Sequence, residues 1–285
     1  MKIPKRLRPL YEDGLIDEIV CQLQSGKEAQ VYMVRCGPHV RCAKIYKEAN
    51  KRSFKQAAQY QEGRTGRNSR RARAMQKRTK FGQKETEEAW LSAEVDALYQ
   101  LAAAGVRVPE PFGFVDGVLL MELVTDGEGN AAPRLSEVPF TPELAVEYHN
   151  RLIREVVRML CAGLVHGDLS EFNVLIDDEG PVIIDLPQAV NAASNNSAYK
   201  MLERDINNMR IYFGNYAPEL LATAYAKEIW SHYEVGNLCP DTELTGRFKE
   251  STVAADVDGV MKVIDAAIEE EYDRRQRIKD ALEDE

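Results

Sequence analysis

Residues 164–188, LVHGDLSEFNVLIDDEGPVIIDLPQ, gather His166, Asp168, Asn173 and Asp185 within twenty residues, among apolar neighbours. Val174–Ile176 and Val182–Ile184 are short apolar runs, and Asp177–Gly180 between them has turn chemistry. Together they predict a β-hairpin. A hairpin sets the residue before its first strand beside the residue after its second, so Asn173 and Asp185 meet at one sheet end. An amide oxygen and a carboxylate in that arrangement suit Mg²⁺, which takes one or two carboxylates and completes its shell with water and phosphate. Asp168 sits five residues before Asn173, in the loop that leads into the hairpin. A lone Asp near a turn is ordinarily a cap or a bend. Three such residues in this register, joined by a hairpin, point to chemistry instead.

The same order of residues is the grammar of protein kinases: H-R-D-L-x-x-x-N, then a metal-binding Asp. Here it reads His166-Gly167-Asp168-Leu169-Ser170-Glu171-Phe172-Asn173, then Asp185. That grammar makes Asp168 the catalytic base or the orienter of the nucleophile, and Asn173 and Asp185 the metal ligands. Its other half is expected upstream. In QSGKEAQVYMV, Val31 takes the place of the valine of G-x-G-x-x-G-x-V, and Gly26 that of the second glycine. Gln24 and Ala29 stand at the other two glycine positions, so this loop carries little weight alone. Lys44, thirteen residues after Val31, is a lysine on an apolar strand, CAKIYK, at the position that reaches the α- and β-phosphates. The ordinary alternative is an edge lysine facing water. Glu94 lies where the ion-pairing acid belongs, with Asp96 as a competitor. LLMELV (119–124) then runs into the hinge.

These groups need a frame. Residues 16–23, 30–36 and 40–47 read as strands, and 113–124 as a hairpin about Asp116-Gly117. Trp90, Leu91, Val95, Leu98 and Leu101 recur at helical spacing, in a segment that runs from Glu85 and stops at Gly105 and Pro109. GEGNAAP (127–133) reads as a linker. A long helix opens with Thr141 as N-cap and Pro142 at its first position, and closes at Gly163. Residues 198–233 and 252–282 are helical in pattern. A sheet-rich first part and a helix-rich second part make an α+β layout.

At 285 residues and 44% hydrophobic, the chain has room for one bilobal domain. No apolar run reaches the roughly 18 residues of a membrane span, and no apolar segment follows the basic start, so neither a span nor a signal peptide is expected. Five scattered cysteines without a CxxC pair argue against a disulfide framework or a zinc site and suit a reducing cytosol. Four histidines without HxxxH spacing weaken a metal-hydrolase reading further. The net charge of −9 is unevenly spread: residues 51–80 hold eleven Lys or Arg against one acid, a local charge of +10. A window that basic reads as loop and as a candidate interaction segment.

SGKEAQVY, CAKIYK, the helix with Trp90 four residues before Glu94, LVHGDLSEFNVL, IIDLPQAV and LERDINNMRIYF (202–213) together resemble the RIO atypical protein kinases, over roughly residues 15–215. HGDLSEFN with IIDLPQ is the specific part. The resemblance implies a bilobal protein-kinase-like fold. Its antiparallel-sheet N-lobe spans 1–124 and carries a flexible basic insertion near 51–84. Its reduced helical C-lobe spans 125–285 and carries the catalytic hairpin. ATP and Mg²⁺ are implied, with Gly26, Lys44 and Glu94 on the phosphate side and hinge contacts around Glu122 and Val124. Asp168 would accept the proton, and Asn173 and Asp185 would hold the metal. An aspartyl-phosphate intermediate, associated with the family, would fall on Asp185. The short start implies the subgroup without a winged helix, of prokaryotic type.

The implied activity is phosphate transfer to protein Ser or Thr, itself included, or an ATPase switch, in the cytoplasm. Leu186-Pro187 replaces the Phe-Gly of typical kinases, and a fixed proline φ implies a segment less free to flip. Ala217-Pro218-Glu219 copies the end of a typical activation loop, but the helical 198–213 pattern leaves little room for one, so the triplet reads as a helix start. Two other readings stand beside this one. An aminoglycoside-type small-molecule phosphotransferase shares H-G-D-x-x-x-x-N and the following I-D. An RNA- or ribosome-associated factor would use the basic window 51–80 on ribosomal RNA, with nucleotide turnover as its switch.

Overall fold

Alternating apolar residues in the first 122 positions build five antiparallel strands: β1 (Glu18–Ser25), β2 (Ala29–Cys36), β3 (His39–Tyr46), β4 (Pro111–Val115) and β5 (Val118–Glu122). They pair in the order β1-β2-β3-β5-β4. The computed structural model describes residues 3–26, 29–47 and 93–248, all within one unit that ends at Phe248. The basic window 51–80, the insertion near 51–84, Trp90, Leu91 and the 252–282 pattern lie outside the described residues. β1 begins at Glu18, two residues later than its alternation suggests. Leu15 and Ile16 instead donate their N–H groups to the Leu10 carbonyl, at 2.8 and 3.1 Å, and so finish the short helix α1 (Arg8–Glu12).

Side chains alternate across a strand, so β3 has two faces with different work. Ala43 and Ile45 join Tyr32, Val34, Val118 and Leu120 beneath Leu7, Leu10 and Ile16 of the N-terminal segment. Cys42, Lys44 and Tyr46 point to the opposite side. There α2, described over 93–103, buries Val95, Leu98 and Leu101 in the main core, as the 3.6-residue period requires. The β4–β5 hairpin turns on Asp116 (φ 50°) and Gly117 (φ 76°), the paired left-handed residues of a tight hairpin.

The second part is mostly helical. α3 (Pro142–Cys161) starts where Thr141 Oγ1 accepts the Leu144 N–H at 3.3 Å. Its buried face includes Leu152, Val156 and Leu160. α4 (Ala198–Gly214) and α5 (Tyr225–Glu234) pack against it, with a 3₁₀ turn, Pro218–Ala222, between them. Pro218 therefore opens a helical turn, as the sequence suggests. Two small pairs complete the frame: β6 (Leu164–Val165) with β9 (Val190–Asn191), and β7 (Val174–Asp177) with β8 (Gly180–Ile183). The 127–133 stretch is more ordered than a linker. Asp126 Oδ1 accepts the N–H groups of Glu128 and Asn130, and Thr125 bridges Ala131. Among the described residues no helix is long and apolar enough to cross a membrane.

Candidate active site

Lys44 is anchored before it is functional. The β2–β3–β5 ladder pairs it with Val31 on one side and Leu119 on the other. Nζ donates to Glu94 Oε1 at 2.6 Å and to Asp185 Oδ1 at 2.7 Å. Lys44 and Glu94 are almost enclosed, at 11% and 6% side-chain exposure, whereas Asp185 keeps 46% open in the cleft. Burial alone would drive the Lys44 ammonium toward its neutral form. The carboxylates of Asp185 and Glu94 outweigh that and raise its pKa well above the ordinary lysine value. The contact also decides between the two acids on α2: Glu94 faces Lys44, and Asp96 lies on the exposed side of the helix.

The hairpin forms as its residues require, and it brings Asn173 beside the strand that leads to Asp185. Ile184 N donates to the Asn173 carbonyl at 3.0 Å. Asn173 Nδ2 donates to the Asp168 carbonyl at 2.9 Å, which leaves its Oδ1 outside that bond. Asp185 adopts φ 66°, a left-handed conformation that costs a non-glycine residue about 1–2 kcal/mol. Its neighbours hold it there: His166 Nε2 donates to the Ile184 carbonyl at 3.0 Å, and Leu186 is buried. Because His166 Nδ1 accepts the Asp168 N–H at 3.2 Å, the ring is the neutral Nε2–H tautomer; its burial lowers the pKa in the same direction. Arg107 clamps the hairpin's far end, with Nη2 2.8 and 2.6 Å from the two Asp177 oxygens.

Asp168 sits exposed at the loop, and Oδ2 accepts from Gln188 Nε2 at 3.0 Å. Partial burial raises its carboxyl pKa, against the pull of Arg204 and with a push from Asp185. The loop's backbone is gripped from below by α4. Asp205 accepts from Gly167 N (2.7 Å) through Oδ2 and from Leu169 N (3.0 Å) through Oδ1. Arg204 donates to the Gly167 carbonyl, and Asn208 Nδ2 to the Leu169 carbonyl at 2.9 Å. Three side chains of one helix therefore fix the residues on both sides of Asp168. Gly167 has φ 79°, a bend that suits glycine. Burial pushes the Asp205 carboxyl up to about 7, in spite of the two N–H donors and Arg204. The sequence shows RDINN but assigns these residues no role. Residues 204, 205 and 208 share a helix face by spacing, but spacing does not reveal what that face touches.

A cleft of about 750 Å³ joins these parts, a size suited to a small-molecule ligand. Leu23, Val31, Cys42, Met121, Val124 and Leu175 supply apolar walls, and Lys44, Glu94, Asn173 and Asp185 the polar end. Gly26 lines it too. Its N–H donates to Ala29 O at 2.9 Å and its carbonyl accepts from Lys47. Among the described residues a Cβ at Gly26 would meet only Ala29 O, at 3.6 Å, and the far end of Gln24, neither close enough to demand glycine. At the hinge, Glu122 N donates to Glu110 O at 2.8 Å and the Val124 carbonyl accepts from Ala132 N at 2.9 Å. Those bonds leave the Glu122 carbonyl and the Val124 N–H, an acceptor and a donor two residues apart, for another partner.

Among the described residues no group of three or more His, Cys, Asp or Glu could hold a metal alone. One carboxylate, Asp185, and one amide oxygen, on Asn173, fit Mg²⁺ arriving with phosphates better than a resident metal.

A sequence model of the RIO domain matches residues 30–226. The chain is 37% identical over 207 residues to the RIO-type serine/threonine-protein kinase Rio1 of Haloferax volcanii, covering 72% of this chain and 66% of that relative. It is 33% identical over 215 residues to the serine/threonine-protein kinase rio1 of Schizosaccharomyces pombe, covering 73% and 40%. The match thus spans less than two thirds of either curated relative. The fold resembles the Rio2 kinase of Chaetomium thermophilum, with TM-score 0.57, 20% identity, and 94% and 77% of the two chains covered. A second structure, the Rio2 kinase-ADP/Mg²⁺-phosphoaspartate complex of the same organism, matches with TM-score 0.52 and 21% identity over 75% and 65%. The five-stranded sheet over a helical lobe is thus the bilobal kinase-like architecture, and, matched over more than half its length, the chain belongs to the RIO domain family.

Proposed function

We propose that this chain is an ATP- and Mg²⁺-dependent serine/threonine protein phosphotransferase of the RIO type, cytoplasmic and able to modify itself. The observation that carries this reading is Lys44 held by both Glu94 and Asp185 at the polar end of the cleft, which Asn173 also lines. The names of the curated relatives support it, as does the ADP/Mg²⁺ complex named for the structural neighbour. The N-lobe runs to Val124, and the C-lobe follows. Adenine lies between the apolar walls, bonded to the Glu122 carbonyl and the Val124 N–H. Lys44 turns from Asp185 to the phosphates, and Asn173 and Asp185 would hold Mg²⁺, which would supply screening of the phosphate charge. The acceptor hydroxyl gives its proton to Asp168 as its oxygen bonds the γ-phosphorus and ADP leaves. The raised Asp168 carboxyl suits a base. Asp185 can itself take the phosphoryl group, as the neighbour's phosphoaspartate suggests.

Transfer from γ-labelled ATP tests the reading. Asp168→Ala lowers turnover by roughly 10²-fold or more while ADP affinity stays within about two-fold; unchanged turnover rejects the role. Label on Asp185 is released by hydroxylamine and absent in Asp185→Asn. Label only on Ser or Thr removes the acyl phosphate. Hydrolysis without any acceptor favours the ATPase switch, and transfer to an aminoglycoside the small-molecule alternative.

The +10 window 51–80 supports a second role, electrostatic capture of ribosomal RNA. RNA affinity then falls with salt at a log–log slope of about −0.7 per contacted phosphate on single strands. Equal affinity and slope in a variant with Arg70, Arg71 and Arg73 changed to Ser rejects capture.

A further inference from the structure

Arg134 lines the cleft, yet no motif pointed to it. Its backbone is rigidly set. Arg134 N donates to Glu137 Oε2 at 3.0 Å, Ile176 N donates to Pro133 O at 2.9 Å, and Arg134 forms a β-bridge with Leu175. Cross-strand partners share a face. Leu175 and Asn173 line the cleft, whereas Val174 and Ile176 are buried in the main core, so Arg134 stands on the cleft side. Its guanidinium reaches across to the other lobe, where Nη2 donates to Gln24 Oε1 on β1 at 2.6 Å. Among the described residues this is a cation held by a neutral amide, without an ion pair.

A guanidinium in a ligand cleft with no ion-pairing carboxylate among the described residues is suited to an anion, and the planar fork binds phosphate oxygens well. Gln24 occupies the first glycine position of the phosphate-side turn, so the Arg134–Gln24 bond crosses the cleft mouth. We propose that Arg134 is a nucleotide-phosphate ligand, parked on Gln24 until a nucleotide enters and then transferred to its phosphate oxygens. This rests on the nucleotide reading above and adds a second protein cation to Lys44. It also explains Gln24, since a neutral partner releases the guanidinium more readily than a carboxylate would.

Calorimetric titration of the full chain with adenosine, AMP and ADP tests it. Arg134→Met keeps the length of the side chain and removes the charge. It weakens AMP and ADP roughly ten-fold, the value of one charge-assisted hydrogen bond, and leaves adenosine within about two-fold. Adenosine binding doubles as proof that the cleft is intact. Arg134→Lys restores part of the loss. Gln24→Ala tightens ADP by up to about five-fold, because a weak bond no longer has to break. Equal losses for adenosine and ADP in Arg134→Met, or no loss for either, overturn the proposal. So does a loss in Gln24→Ala matching that of Arg134→Met, which makes the pair a strut between the lobes. Wild-type protein that binds no ADP overturns the nucleotide reading itself. Wild-type binding with an unchanged Arg134→Met overturns this proposal alone.

Discussion

Asp185 in the cleft and Asp205 beneath the Asp168 loop are the same side chain in opposite settings. Burial works to raise the carboxyl pKa of both. At Asp185 the Lys44 ammonium, with Arg134, reverses the effect and holds the carboxyl below the ordinary range. At Asp205 two backbone N–H groups and Arg204 do not suffice, and the carboxyl is pushed up to about 7. Asp185 remains 46% open, while Asp205 is 1% exposed. The comparison teaches a division of labour. A full opposite charge keeps a carboxylate ionised while its other lone pairs stay open for a ligand. Backbone dipoles enclose a carboxylate completely, which suits a bracket and leaves nothing over for chemistry.

The strongest way to break that comparison is Lys44→Met. It removes the charge that Asp185 depends on and lowers turnover by roughly 10²-fold or more. It also strands Glu94, which is buried with its partner gone, so stability drops by about 3 kcal/mol in a denaturant titration. Wild-type stability with lost activity would mean that Glu94 finds another cation, and would confine Lys44 to catalysis.

Next comes the bracket. Asp205→Ala leaves the Gly167 and Leu169 N–H groups without acceptors and costs about 2–4 kcal/mol. Activity falls with it, because the loop carrying Asp168 loosens. The wild type also has a pH signature. Below about pH 7 the Asp205 carboxyl takes a proton and loses accepting capacity, so activity declines as pH falls through that value. Stability runs the other way. An acid whose pKa is raised in the fold binds protons more readily folded than unfolded, so this group's contribution weakens as pH rises from about 4 toward 7. Asp205→Asn flattens both trends. Identical pH–rate profiles for Asn and wild type would show that another group sets them.

The smallest effect on activity belongs to a buried polar group that has neither kind of partner. His149 is fully buried on α3, edge-on to Phe213 and near Tyr225, and neither ring nitrogen has a well-formed hydrogen bond. Burial lowers its pKa to about 4, and Asn150 offsets only part of that. The unfolded chain binds this proton more readily. Stability is therefore lost as pH falls from about 6.5 toward 4, by at most about 3 kcal/mol. His149→Phe removes that dependence and leaves activity at pH 7 unchanged; thermal midpoints across pH 4–7 measure it.

The sequence by itself determined what is local. The Asn173–Asp185 hairpin, the Asp116-Gly117 turn, the Thr141-capped helix and the face of Val95, Leu98 and Leu101 all follow from turn chemistry, capping and periodicity, which act within a few residues. It also named Lys44, because a lysine on an apolar strand needs a reason. Tertiary structure decided what depends on partners far along the chain. Glu94 rather than Asp96 meets Lys44, fifty residues away, because the rotation of α2 against the sheet selects one of two acids. Asp205 reaches back 38 residues to Gly167, and Arg134 reaches Gln24 across 110, with no pattern in the sequence to announce either. The reason is geometric. Backbone periodicity assigns a residue to a face of its own element, but only the packing of elements decides what that face meets.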